Sequence, residues 1–262
     1  MKKSLITILF VGMAMSMQAV DLPKQGFGLQ VGWAQPILRL NSPNNPSSAK
    51  DSLSYVVKMN GVKIGFVYDA SFIAGFGSSI ALNYTFGVYN GGWKSIYPNY
   101  GKYPQGRQLI TYHEVELVVD WQYKFEIAKE TYLMLYTGPS LQIGTSLAMR
   151  NDERIEDMMT GNIITTYGDK LDAYKVDPAD MTLMNGYVKA NNAIRRLNIT
   201  WGVGAGFQYK RYFLRGGYDF GLMNPYRNTQ FYNVAGDPMD IYTRGRFDQW
   251  NIKIGMYLWY EN

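Results

Sequence analysis

The sequence predicts an all-β protein, an eight-stranded antiparallel up-and-down β-barrel that crosses a membrane, and three observations carry that prediction. Large apolar residues recur at every second position in eight separate segments. The connections between the segments alternate long and short, and the apolar faces hold more bulk than the inside of a small barrel accepts. The composition agrees. Among 262 residues there are 22 Tyr, 12 Phe, 6 Trp and 27 Gly, with 47% apolar and 18% charged residues, which excludes a disordered chain. No Cys and a single His exclude disulfide scaffolds, zinc modules and thiol nucleophiles. An excess of 26 Lys plus Arg over 21 Asp plus Glu is too small for a nucleic-acid-binding tail, so no nucleic acid is expected as a partner.

The first element is an address. Lys2 and Lys3 precede an apolar run from Leu5 to Met15, and small or polar residues then lead to Ala19. This is the pattern of a secretory signal peptide over residues 1–19, with cleavage after Ala19 or after Ser16 both open. Residues 20–262 are then a single barrel domain. The run is shorter than the roughly 20 residues a transmembrane helix needs, and no later segment has 18 consecutive apolar residues. An exported chain without a helical span is either a soluble barrel or a membrane barrel.

The strands follow in order. In the first, Phe27, Leu29, Val31 and Trp33 alternate with glycines, Gln30 and Ala34. Val62, Ile64, Phe66 and Tyr68 oppose Lys63, Gly65, Val67 and Asp69 in the second. The third sets Ile80, Leu82, Tyr84, Phe86 and Val88 against Ser79, Ala81, Asn83, Thr85 and Gly87. The fourth sets Val115, Leu117, Val119, Trp121 and Tyr123 against Glu114, Glu116, Val118, Asp120 and Gln122. The fifth, about residues 132–147, is less regular, with Leu133, Leu135, Leu141 and Ile143 opposite Tyr136, Gly138, Ser140, Gln142 and Gly144. In the sixth, seven apolar residues from Leu197 to Tyr209 oppose Asn198, Thr200, Gly202, Gly204, Gly206 and Gln208. Leu214, Tyr218, Phe220 and Leu222 oppose Arg215, Gly217, Asp219 and Gly221 in the seventh. The eighth places Trp250, Ile252, Ile254, Met256, Leu258 and Tyr260 opposite Asn251, Lys253, Gly255 and Tyr257.

Connections of about 41–57, 90–106, 149–192 and 224–246 are long, whereas those around 70–76, 125–131 and 210–211 are short. That asymmetry belongs to outer-membrane barrels, whose long loops face outside and whose turns and termini face the periplasm. Volume orients the faces. Eight strands enclose a space just wide enough for side chains to fill, so the apolar faces, with Trp33, Trp121, Trp201 and Trp250 among them, must turn to lipid. A soluble barrel with the faces exchanged remains the structural competitor.

The stretch from Trp201, WGVGAGFQYKRYFLRGGYDFGLMN, together with the closing segment Trp250 to Tyr260, resembles the last hairpin and strand of small outer-membrane β-barrel proteins. Over residues 26–260 the layout is similar to that superfamily, in particular to PorT-like barrels and more distantly to the OmpA/OmpX type. The resemblance implies a Gram-negative outer-membrane location, outer-membrane lipid and lipopolysaccharide as surroundings, and the barrel-assembly machinery as a partner during biogenesis. It implies that the terminal aromatics, here Trp259 and Tyr260 followed by Glu261 and Asn262, serve as the assembly signal. A link to protein secretion attaches to PorT-like barrels, and no motif here carries that role.

The candidate functional residues are the charges assigned to the lumen: Lys63, Asp69, Glu114, Glu116, Asp120, Arg215, Asp219 and Lys253. Charges in a water-poor interior need partners, so a salt-bridged plug is one reading and a charged ion conduit or gate the other. Glu114 and Glu116, two residues apart, share a face and suit acid/base chemistry on a sugar, but no cleft is legible around them. His113 points outward near the end of strand four. Lipid hydrolysis would need a nucleophile beside it, and strand five offers Thr145 rather than Ser. The long third loop carries Asp152, Glu153, Glu156, Asp157, Asp169, Asp172, Asp177 and Asp180 without the spacing of a calcium loop, so it is either a solvated loop or a partner-binding one. No cofactor, catalytic residue or metal site is expected. The function read from the chain is a non-enzymatic outer-membrane barrel whose long loops serve structure, recognition or assembly. A narrow conduit, a secretion-associated role and, more remotely, an outer-leaflet lipid hydrolase are the alternatives.

Overall fold

The structure is a computed structural model and describes residues 25–41, 54–73, 75–96, 104–157, 159–172, 174, 182–183, 186–187, 194–225, 231–232, 238–239 and 244–261. The expected signal segment lies outside these residues, as do Asp177 and Asp180. Eight long strands form the framework: β1 (Gln25–Asn41), β2 (Asn60–Ile73), β3 (Phe76–Asn90), β4 (Gln105–Ala128), β5 (Thr131–Glu156), β6 (Leu197–Tyr209), β7 (Tyr212–Gly221) and β8 (Arg244–Glu261). Each pairs antiparallel with its sequence neighbour, and β1 pairs with β8 from Gln25↔Glu261 to Asn41↔Arg244. The ring is closed and has no free edge at its waist.

The exterior is apolar. Val31, Trp33, Val62, Ile64, Phe66, Leu82, Trp121, Trp250, Ile252 and Ile254 are exposed, each flanked along its strand by residues that point into the ring. A continuous apolar belt of this extent is a lipid-facing surface, since soluble monomers rarely expose more than a few hundred Å² of contiguous apolar area. The interior meanwhile holds Lys63, Glu114, Glu116, Arg215 and Asp69, all buried. The faces are therefore those of a transmembrane barrel, and the soluble competitor with exchanged faces is ruled out.

Three expectations are corrected. The strands outrun the sequence pattern, so the long connections are shorter than 41–57, 90–106, 149–192 and 224–246. Ser54–Lys58 pairs with the end of β1, Lys94–Ser95 pairs with the start of β4, and β5 runs on to Glu156, where Ile163–Tyr167 folds back along it. Periodicity missed these stretches because they rise above the belt, where neither face is uniformly apolar. Secondly, β8 does not keep its alternation to Tyr260. A bulge opposite Phe27 and Gly28 leaves Leu258 and Trp259 both exposed and turns Tyr260 inward against Tyr257, ring centroids 5.2 Å apart. Thirdly, the fifth strand is irregular because of a bulge between His113 and Glu114 of β4 and Ser146 and Gly144 of β5, which turns Leu147 inward.

At the other rim the turns are tight. Lys129–Glu130 and Lys210–Arg211 connect their hairpins with positive φ at Glu130 (58°) and Lys210 (53°), and the Lys210 N–H donates to the Glu130 carbonyl across 2.9 Å, tying the two turns together.

The closing seam has its own constraint. Gly32 lies in register between Lys63 of β2 and Lys253 of β8, all three on the inward face. A Cβ at Gly32 would collide with the Ile252 carbonyl and the Lys253 backbone. Gly32→Val is expected to destabilise the closed ring by about 1–3 kcal/mol, the range for overpacking a tight interior. In an unheated gel the compact fast-migrating band of a folded barrel should then weaken or vanish. Unchanged heat-modifiable migration would contradict this account of the seam.

Candidate functional site: the polar lumen and its two closures

The register gives the lumen an electrostatic order that no single strand shows. Strand β4 supplies Glu114, Glu116 and Asp120 along one wall. Facing them, β2 supplies Lys63, β8 Lys253 and β7 Arg215, with Lys253 and Arg215 cross-strand partners. Towards the turn rim the sense reverses: β4 contributes Lys124 and β2 contributes Asp69.

Two networks result. In the middle, Lys63 Nζ lies 2.7 Å from Glu116 Oε2 and also donates to Gln249. Glu116 accepts further bonds from Asn83 (3.0 Å), Gln142 (3.1 Å) and Ser140 (3.4 Å), while Glu114 accepts from the Tyr112 hydroxyl (2.6 Å) and Gln249 (2.8 Å). Nearer the turn rim, Asp69 Oδ2 accepts from Arg215 Nη2 (2.7 Å), Lys124 Nζ (3.2 Å) and the Tyr257 hydroxyl. Arg215 Nη1 also reaches Ser79 Oγ at 2.8 Å. Carboxylates withdrawn from water need several donors each, and Glu116, Glu114 and Asp69 have them.

The eight sequence-selected residues thus share one lumen, but they are not all salt-bridged. Asp219 is half-buried and held by Asn251 (2.8 Å), and Glu114 is held by neutral donors. Asp120 and Lys253 are buried without a direct ion pair among the described residues; Lys253 is balanced at longer range by Glu116, Asp219 and Asp120. The pattern missed Lys124, although it continues the inward register of Asp120 and Gln122. It also missed Gln249, whose amide links Lys63 to Glu114.

Two apolar groups share the lumen with these polar networks. At the long-connection rim Leu38, Val57, Met59, Ile110, Tyr112, Leu147 and Phe247 converge with Tyr174 and Ile194 from the third connection. The β5 bulge seats this plug. Gly144, opposite Glu114 and beside the extra residue Thr145, donates its N–H to the Arg196 carbonyl (2.7 Å), one rung past Leu197↔Ile143, and the Tyr174 ring occupies the space a Gly144 side chain would fill. Asp172 Oδ1 accepts from the Tyr174 N–H at 3.0 Å and so fixes the approach of the loop. Phe213 and Tyr257 pack with centroids 4.9 Å apart, beside Val67, Ala81, Val118 and Met134, and on β2, β3 and β4 this apolar group lies between the central network and the Asp69–Lys124 pair nearer the turns.

The remaining candidates change accordingly. Glu114 and Glu116 lie within a closed core with no cleft for a sugar. His113 faces outward; its Nδ1 is 2.5 Å from the Tyr84 hydroxyl and its ring packs on Phe86. The bulge sets Ser146, not Thr145, opposite His113, and Thr145 Oγ1 bonds the His113 carbonyl instead (3.2 Å). Of the acidic loop residues, Asp152, Glu153 and Glu156 belong to β5, and Asp152 is clasped by Arg107 and Arg150. No metal-holding cluster occurs among the described residues.

No known family profile matches the chain, and no curated protein matches it. Among solved structures the chain is similar to Ail, the attachment invasion locus protein of Yersinia pestis, crystallised with the heparin analogue sucrose octasulfate. That match has 9% identity and a TM-score of 0.37, covering 90% of this chain and 99% of that one. It is also similar to Neisserial surface protein A (12% identity, 89% and 97% covered, TM-score 0.34) and to the translocator domain of the autotransporter NalP from Neisseria meningitidis (7%, 98% and 96%, TM-score 0.28). The architecture rests on the strand register described above and not on these distant likenesses. The chain is, by its closed ring, apolar belt and filled polar interior, an eight-stranded transmembrane β-barrel.

Removing one partner of the central pair tests the network. Lys63→Met leaves Glu116 charged and short of its cation, and should lower stability by about 3–5 kcal/mol. Lys63→Met combined with Glu116→Gln removes both charges and should recover most of that loss. Guanidinium unfolding followed by tryptophan emission reads both, and equal losses in the two variants would show that the ion pair is not the source.

Proposed function

We propose that this protein is a non-enzymatic outer-membrane barrel that anchors and displays a β-rich outward extension, not one that passes solutes. The filling of the lumen carries this reading: buried side chains occupy it along its length, with two bonded charge networks and two apolar groups among them. A conduit needs sites that an ion can enter and leave. The display side is supported by β5, which continues from Gly144 to Glu156 past its last pairing with β6 at Leu197↔Ile143, and by Ile163–Tyr167, which adds a third strand to the β4–β5 hairpin. Trp93 is stacked between Arg107 (4.6 Å) and Arg154 (4.0 Å), and Arg150 lies over Tyr167 (5.3 Å), so the extension is ordered by packed aromatics and arginines. The signal-peptide pattern of residues 1–19 supports export, and the long and short rims support an outward-facing extension with periplasmic turns. Lipopolysaccharide and other outer-membrane lipids surround it, and the barrel-assembly machinery inserts it. Neither the secretion role of PorT-like barrels nor lipid hydrolysis has a supporting group: His113 is bonded to Tyr84, not to a nucleophile.

Two measurements test the reading. In planar bilayers the purified protein should show no resolvable single-channel current; steady conductance steps would overturn the sealed lumen. Replacing residues 155–171 by a short Gly-Ser turn should leave heat-modifiable migration intact while abolishing surface recognition phenotypes of the producing cells. A full phenotype in that variant would refute the display role.

A further inference from the structure

One carboxylate breaks the apolar pattern of the exterior. Asp248 continues the outward register of Trp250, Ile252 and Ile254, yet it is fully buried. Arg39 Nε approaches its Oδ2 at 2.9 Å and Arg246 Nε its Oδ1 at 2.7 Å, while the Tyr218 hydroxyl (2.8 Å) and the Gly221 N–H (3.0 Å) complete its shell. Both arginines reach Asp248 through Nε, so their terminal nitrogens are not spent on it. Their side chains are 40% and 46% exposed, and Lys58, exposed on the neighbouring strand opposite Ile37, adds a third cation to the one carboxylate, Asp248, that these arginines hold among the described residues. This group stands one row above Trp250 and Tyr218, whose rings pack at 4.6 Å, the level where an aromatic belt meets lipid headgroups.

Directly below the arginines the belt is indented. Ala205 and Gly216 are cross-strand partners on the outward face and form a low floor between bulkier rows. Together with Arg39, Tyr218, Phe220 and Trp250 they line an open groove of about 650 Å³. The groove is apolar along its length and cationic at its upper end.

We propose that this groove binds an anionic membrane lipid, its phosphate held by Arg39 and Arg246 and one acyl chain laid over Ala205 and Gly216. Guanidinium groups match phosphate geometry with two parallel N–H donors, and Asp248 orients both while leaving the cluster net positive. Charge complementarity selects a phosphate over a zwitterionic headgroup, and the groove selects a lipid over free phosphate. The proposal rests on the membrane reading given above.

The test uses the full chain in detergent, titrated with dioleoyl phosphatidylglycerol or dioleoyl phosphatidylcholine and read by native mass spectrometry. The anionic lipid should be retained about tenfold better, consistent with roughly one charge-assisted contact's worth of free energy. Arg246→Gln should narrow the preference, and R39Q combined with R246Q and D248N, which leaves no unpaired buried charge, should erase it. Gly216→Leu fills the groove and should weaken both lipids alike; a Cβ there meets nothing closer than 3.8 Å, so the variant can fold. Glycerol 3-phosphate, which has no chains, should not compete. Full anionic preference in the triple variant, undiminished binding in Gly216→Leu, or effective competition by glycerol 3-phosphate would each overturn the proposal. Heat-modifiable migration of the same preparations keeps the outcomes apart: if it is lost in the unaltered protein the membrane reading fails, and if it holds while lipid preference is absent only this proposal fails.

Discussion

Within a bilayer no water is present to satisfy a backbone N–H or carbonyl, so each such group in a sheet must find its partner in the protein. Here that requirement is met only because β1 and β8, the most distant strands in sequence, pair along their whole length. The filled lumen is a consequence of that closure. The small residues along the seam are part of it, since Gly28 and Gly32 let the β8 backbone approach where a side chain would collide with it. An open sheet of the same strands would expose a row of unpaired groups to hydrocarbon, each costing several kcal/mol.

Closure then sets the terms for the interior. A ring of eight strands admits side chains but no wide pore, so what points inward must pack and pair. The chain meets this with an apolar plug at the long-connection rim, a central network around Lys63 and Glu116, and towards the turns a second network around Asp69 and Arg215 interleaved with an apolar group that includes Phe213 and Tyr257. Burying ion pairs is rarely the most stable solution available, because desolvation offsets much of the attraction. Their value here is positional: Lys63 on β2 bonded to Glu116 on β4 ties together the two strands that flank β3, and Arg215 on β7 bonded to Asp69 on β2 ties the two sides of the ring. The same logic recurs outside, where Asp248 and Asp152 are each gripped by two arginines above the belt.

The bulges show how local irregularity is turned to use. Beside the β4–β5 bulge Gly144 leaves a space that the Tyr174 ring occupies, so Tyr174, with Ile194, joins the apolar plug at that rim. At the end of β8 the bulge brings Tyr260 inside, where its hydroxyl accepts from Gln208 at 2.5 Å. Neither was legible beforehand, because a strict period of two has no place for an extra residue, and each extra residue exchanges the faces of everything beyond it.

Much of the rest was legible. Alternation in eight segments, together with the count of large groups that an eight-stranded interior cannot accept, is sufficient to define the barrel and to send Trp33, Trp121, Trp201 and Trp250 outward. The same alternation places Lys63, Asp69, Glu114, Glu116, Asp120, Arg215, Asp219 and Lys253 on inward faces, because the direction of a side chain in a strand is a property of its parity alone. Partnership is not. Which cation meets which carboxylate depends on register and on the curvature that brings β2 and β4 together over β3 and turns β7 and β8 towards them, and those are set by the whole ring at once. Lys63 with Glu116, Arg215 with Asp69 and Arg39 with Asp248 lie 53, 146 and 209 residues apart in the chain. Parity is written residue by residue in the sequence; proximity across a closed cylinder exists only after the cylinder has closed.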